Sequence, residues 1–161
     1  MNRMPQEIID QERFVAQVLT AGRVFICGNG GSAANALHMA NDLVSVGIAA
    51  HPLTADIATL TAIANDFGYE YVFSRQLAVL ARERDLLIVL TGSGNSENIL
   101  QAIASARMVG IPSLAITGGG DAAEEADLVM LTPGGMQSAE EQQLKIAHQA
   151  MLQIRELRGL H

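Results

Sequence analysis

Between residues 23 and 131 the chain alternates short, mostly apolar runs with longer segments whose apolar residues recur every three or four positions. The runs at 23–27, 49–53, 86–90, 112–117 and 128–131 predict five strands, of which 23–27 reads as buried and 49–53, with His51 before Pro52, as edge-like. The segments between them predict helices at 32–46, 57–64, 72–82 and 96–109, with one further turn after Gly118-Gly119-Gly120. In the first of these, Leu37, Ala40 and Val44 recur on one side, and Asn65-Asp66-Phe67-Gly68-Tyr69 supplies the turn between the next two. A last helix is expected over 138–157. Ahead of the first strand, residues 5–19 carry Ile8, Ile9, Val15, Val18 and Leu19 at helical spacing and stop at Ala21-Gly22, so residues 1–22 are expected to form a leading helix.

Strands alternating with helices imply right-handed crossovers and a mainly parallel sheet with helices on both faces, the α/β class. The chain has 161 residues, 49% hydrophobic and 17% charged, enough for one core, so residues 23–161 are expected to form a single domain. A net charge of −7 and no Lys/Arg-rich stripe argue against a nucleic-acid or anionic membrane surface. Cys27 is the sole cysteine, which excludes an intramolecular disulfide, and no run resembles a signal peptide or a membrane span. These features lead to the expectation of a cytoplasmic protein.

Two loops bring in the chemistry. Cys27-Gly28-Asn29-Gly30-Gly31-Ser32 and Thr91-Gly92-Ser93-Gly94-Asn95-Ser96 each follow a predicted strand and open a predicted helix, where small residues let backbone N–H groups close on an anion. Both fall at the carboxyl edge of the sheet, near the topological switch point where open α/β sheets bind ligands. Gly28-x-Gly30-x-x-Ala33 formally fits a dinucleotide fingerprint. That fingerprint needs an acid at the end of the second strand to hold ribose hydroxyls, and Ala50-His51-Pro52-Leu53-Thr54 has none before Asp56. Neither loop is followed by the Lys-Ser/Thr pair of a nucleotide P-loop. A phosphorylated small molecule remains.

The first loop, Leu60-Thr61-Ala62-Ile63-Ala64-Asn65-Asp66-Phe67-Gly68-Tyr69, Phe73-Ser74-Arg75-Gln76-Leu77 and Ser93-Gly94-Asn95-Ser96-Glu97-Asn98 together resemble, in order and spacing, the SIS (sugar isomerase) domain family, and within it the phosphoheptose isomerases. The resemblance runs from residue 24 to about 157. It implies a flavodoxin-like, doubly wound sheet of five parallel strands and a homotetramer with active sites between subunits. It also implies conversion of sedoheptulose 7-phosphate to D-glycero-D-manno-heptose 7-phosphate through an enediol(ate). Such a reaction needs a base to move a proton between adjacent carbons and an acid or Lewis acid to stabilise the oxyanion. In the family a Glu on the helix after the first loop and a His on the last helix take these roles, and several members hold zinc among them.

His38 and Asp42 lie four apart and share one helix face. His38 matches the family's metal-associated His, and Asp42 stands one methylene short where the family has its catalytic Glu. His148 matches the catalytic His, and Glu140 stands where the family has a Gln that contacts metal and substrate. Positions 140 and 148 are about 80° apart around an ideal helix and are expected to face one site. The resemblance therefore implies His148 and Asp42 as catalytic residues and His38, Asp42, Glu140 and His148 around zinc. It likewise implies Asn29, Gly30, Ser32, Thr91, Ser93, Asn95 and Ser96 as the phosphosugar cradle, with Asp56 and Glu140 near the sugar hydroxyls. Gln137 replaces an Asp of the family pattern, and Gly92 a Ser or Thr. Two functions follow: a phosphosugar isomerase, or a catalytically silent binding or scaffold protein of the replication-initiator-associating type. Cys27, Met39 and Met151 read as packing residues, and His51 and His161 as exposed.

Overall fold

The computed structural model describes residues 6–160; the first five positions of the expected leading helix and the expected exposure of His161 lie outside the described residues. Strands β1 (Glu7–Ile8), β2 (Val24–Gly28), β3 (Ala50–Pro52), β4 (Leu86–Thr91), β5 (Ser113–Thr117) and β6 (Leu128–Leu131) form one parallel sheet in the order β1-β6-β5-β4-β2-β3. The sheet thus has six strands among the described residues, one more than the periodicity indicated. The extra strand comes from the segment expected to be helical. Asp10 accepts a hydrogen bond from the Arg13 amide at 2.9 Å and caps helix α1 (Gln11–Thr20). A capping residue sits in extended backbone, so the helix cannot continue upstream of it, and Glu7 and Ile8 pair with Leu128 and Val129 instead.

The remaining helices are α2 (Gly31–Ser45), α3 (Ile57–Phe67), α4 (Ser74–Leu80), α5 (Glu97–Val109), α6 (Gly120–Glu125) and α7 (Gly135–Leu157), with a 3₁₀ turn at Tyr69–Tyr71. Strand alternation splits the core into two layers. Val24, Ile26, Ile88, Leu90, Leu114 and Ile116 face Phe14, Val18, Met39, Leu43, Ala147 and Ile154 of α1, α2 and α7. Phe25, Cys27, Leu87, Val89 and Ala115 face Leu77, Ile99, Ile103 and Ala106 of α4 and α5. Cys27 is fully buried there, and burial pushes its thiol pKa well above the ordinary range, so it packs and does not react.

The chain leaves β2 for β3 on one side and returns to β4 on the other, so the switch point lies between β2 and β4. Those are the strands that end in the two glycine-rich loops, and their ladder runs to Gly28 opposite Leu90. The fold therefore delivers both loops side by side to the edge where such sheets bind ligands.

Candidate functional site

Helices α2 and α7 pack through small buried residues, Ser32, Ala36 and Ala40 on one and Ala139, Ala147 and Ala150 on the other. Close approach of the two backbones brings the polar residues of the seam into contact. Midway along it, His38 Nε2 stands 2.8 Å from His148 Nε2, and the rings meet edge to face with centroids 4.9 Å apart. Asp42 Oδ2 lies 3.4 Å from His38 Nε2 and 3.8 Å from His148 Nε2. The imidazoles are half exposed, while Asp42 is 7% exposed and its Oδ2 is buried with no hydrogen-bond donor. A carboxylate oxygen buried without a donor is costly unless a cation compensates it.

The three side chains each direct one ligand atom to a common point, with all three atoms within 4.8 Å of one another. Ligand atoms about 2.1 Å from a tetrahedral ion are separated by roughly 3.3 Å, and the observed distances of 2.8, 3.4 and 3.8 Å straddle that value. The group could hold a metal ion and leave a fourth position open.

Glu140, expected beside His148, does not join this group among the described residues. Angular register places the two on one broad face, but eight residues of α-helix separate them by about 12 Å along the axis. The Glu140 carboxylate rests instead against Gly31, where a Cβ would collide with it, at the start of α2. Around it, Asn35 Nδ2 donates to the Glu140 carbonyl (2.9 Å) and to Gln143 Oε1 (3.2 Å). The Ser32 hydroxyl, expected to meet substrate, donates to Gln143 Oε1 at 3.0 Å and lies buried in the seam. Gln143 is fully buried with its Nε2 unpartnered.

The second loop is shaped from within. Thr91 Oγ1 accepts from the Gly94 amide (3.1 Å), Ser93 Oγ accepts from the Asn95 amide (3.3 Å), and Asn95 Oδ1 accepts from the Asp121 amide (3.0 Å). Gly94 has φ +74°, and a Cβ there would collide with the Gly119 carbonyl oxygen, so only glycine fits. Gly92 lacks a side chain where the Met136 thioether lies. Ser96 is the N-cap residue of α5, yet its hydroxyl makes no capping bond, which leaves the helix's first N–H groups open to an anion. A cleft of about 400 Å³ lined by Asn29, Tyr69, Glu70, Ser96, Glu97 and Asn98 opens beside it.

Other residues singled out in the sequence make contacts within the chain. Asp56 is the N-cap of α3, with Oδ1 accepting from the Ala58 and Thr59 amides and Oδ2 from the Thr59 hydroxyl. The Thr59 hydroxyl and amide hold its carboxyl below the ordinary value of 3.8. Gln76 donates to the Leu53 and Val72 carbonyls, and Arg75 stacks 3.5 Å above the Phe67 ring centroid. Gly30, at φ +56°, accepts at its carbonyl from the Ala33 and Ala34 amides and starts α2. His51 is exposed and lies edge-on to Phe25. Sequence reasoning gave no role to Gln143, Asn98 or Tyr69. Asn98 and Tyr69 stand within the quoted motifs, and Gln143 is the polar member of a buried stripe at 139, 143, 147, 150 and 154.

Comparison with known proteins places this geometry. The model of the SIS domain family matches residues 6–118. The phosphoheptose isomerase of Campylobacter concisus is 44% identical over 145 residues, covering 83% of this chain and 75% of that protein. The phosphoheptose isomerase of Rhodospirillum rubrum is 41% identical over 140 residues, covering 82% and 74%. Among solved structures, the phosphoheptose isomerase of Francisella tularensis superimposes with a TM-score of 0.86 at 31% identity, covering 91% of this chain and 84% of that one. That of Neisseria gonorrhoeae gives 0.83 at 33%, covering 91% and 83%.

Proposed function

The chain belongs to the SIS domain family, and from that premise we propose that it is a phosphosugar isomerase interconverting sedoheptulose 7-phosphate and D-glycero-D-manno-heptose 7-phosphate. The observation that carries the reading is the convergence of His38, Asp42 and His148 in the α2–α7 seam, under the edge to which β2 and β4 bring both glycine loops. No observation favours the catalytically silent scaffold.

In this reading the phosphate sits at the second loop, against Ser96 and the open N–H groups of α5, with Thr91, Ser93 and Asn95 holding the loop's shape. The sugar extends toward the seam. His148 moves the proton between the adjacent carbons, and the buried Asp42 carboxylate stabilises the imidazolium that forms. The 2.8 Å contact between the imidazoles requires one ring to donate and the other to accept. Zinc, if bound, would be held by His38 and Asp42, leaving the His148 nitrogen for the proton, and would supply electrophilic stabilisation of the enediolate oxygen. Glu140, whose carboxylate rests against Gly31, is proposed to face the sugar hydroxyls nearest the first loop.

A homotetramer is part of the proposal. Helix α3 is rich in apolar residues, has no buried residue, and leaves Ile57 and Phe67 exposed beside Tyr69, a surface that a second copy would cover. None of the described helices is long and apolar enough to cross a membrane, and a cytoplasmic location is proposed.

Incubating the protein with a panel of ketose phosphates in deuterated water, with and without zinc, and following α-proton exchange by NMR tests the reading. Exchange with sedoheptulose 7-phosphate that disappears in His148→Ala is expected; phosphosugar binding without exchange under every condition would overturn the activity. Metal analysis should find near-stoichiometric zinc in the parent and its loss in His38→Ala, and a metal-free parent ends the zinc assignment.

A further inference from the structure

The ladder between β2 and β4 stops at Gly28 opposite Leu90, yet the two chains stay together beyond it. Asn29, the next residue of the first loop, and Asn98, in the first turn of α5, present their carboxamides to each other. Asn29 Nδ2 donates to Asn98 Oδ1 at 2.8 Å, and Asn98 Nδ2 donates to Asn29 Oδ1 at 2.8 Å. The Tyr69 hydroxyl donates to the same Asn29 Oδ1 at 3.0 Å, which engages both lone pairs of that oxygen. Asn98 is 3% exposed, so its amide exchanges these bonds with little competing water.

This reciprocal pair of carboxamide bonds joins the first loop, just past the end of β2, to the first turn of α5, which the second loop opens. We infer that the Asn29–Asn98 pair, braced by Tyr69, sets the distance between the two glycine loops. Asn98 and Tyr69 are thereby positioning residues for the isomerisation, and the Asn29 carboxamide is oriented by Asn98 and not by substrate. This inference rests on the phosphosugar reading given above. A phosphosugar that contacts both loops at once is positioned by their spacing, and displacement of reacting atoms by about 1 Å costs on the order of 100-fold in rate.

Inorganic phosphate separates this role from a general loss of structure, because in the proposed reading it needs the second loop alone and does not depend on the spacing. Asn98→Ala and Asn29→Ala are each expected to lower kcat/KM for sedoheptulose 7-phosphate by about 10- to 100-fold, mostly in kcat, while inhibition by inorganic phosphate stays within about twofold of the parent. The double variant should be no worse than either single one, because all three lack the same bracket. Tyr69→Phe should show a smaller loss of the same kind. Parental kinetics in Asn98→Ala would overturn the inference, as would a double variant whose loss is the product of the single losses, which would mean that Asn29 touches substrate on its own. Phosphate affinity that falls as far as substrate affinity would also overturn it, since the pair would then only stabilise the second loop. A parent that binds phosphosugar without turning it over overturns the activity reading alone, and a parent that binds none overturns both.

Discussion

The two glycine-rich loops have nearly the same composition and the same position after a central strand, but their surroundings differ. At the first, α7 lays the Glu140 carboxylate on Gly31 and draws the Ser32 hydroxyl to Gln143, so its own chain occupies the start of α2. At the second, Met136 covers Gly92, while Ser96 and the start of α5 remain uncapped. The start of α2 is covered by α7, whereas the start of α5, with Glu97 in its first turn, opens on the cleft beside Asn29 and Tyr69. The proposal that the reacting end of the sugar meets the seam and the phosphate meets α5 rests on this contrast, and it can be broken at either end.

The largest effect is expected at the reacting end. His148→Ala should reduce turnover by 10²- to 10⁴-fold while inhibition by inorganic phosphate is unchanged, because the proposal puts proton transfer in the α2–α7 seam and phosphate binding at the second loop. Equal losses in both would erase the distinction. Next comes Gly94→Ala in the second loop. The positive φ costs an L-residue about 1–2 kcal/mol, and collision of its Cβ with the Gly119 carbonyl adds to that. Urea unfolding should show a loss of at least about 2 kcal/mol, together with loss of phosphate binding.

Ser96→Ala removes one hydroxyl from the phosphate end. A hydrogen bond to a charged group contributes about 1.5–3 kcal/mol, so KM should rise by at least about tenfold with kcat little changed. A fall in kcat at constant KM would place Ser96 at the reacting end instead. The smallest effect belongs to Asp56, which lies outside both loops and caps α3. Its carboxyl is held below the ordinary value by folding, so its contribution is present above the unfolded pKa near 3.8 and is lost as pH falls through the lower folded value. The melting temperature of Asp56→Ala should lie slightly below the parent's at pH 6, and the gap should close below pH 4. Unaltered substrate KM in this variant would separate Asp56 from the sugar site.

Much of this contrast is legible in the sequence. Strands β2, β4, β5 and β6 stand out because a strand covered on both faces must be largely apolar, and the loops stand out because close backbone approach demands glycine. His38 with Asp42 is legible because four residues are one helical turn. The edge strand Glu7–Ile8 is not, since two residues carry no periodicity and their pairing depends on β6, about 120 positions away. Nor is the displacement of Glu140, because an angular register on α7 says nothing about which turn of α2 lies alongside.

By itself, the sequence determined the layered α/β class, the placement of both loops after strands, and the residue types able to hold phosphate and move a proton. These follow from local rules of side-chain spacing and backbone freedom, which act over a few residues. Only the tertiary structure decided which partner each of those groups takes. It pairs Asn29 with Asn98, turns Ser32 to Gln143, gathers Asp42 with two histidines and leaves Ser96 uncapped. Those outcomes depend on the offset between α2 and α7 and on the adjacency of β2 and β4. Both are set by packing between segments distant in the chain, where a shift of one helical turn would exchange every partner.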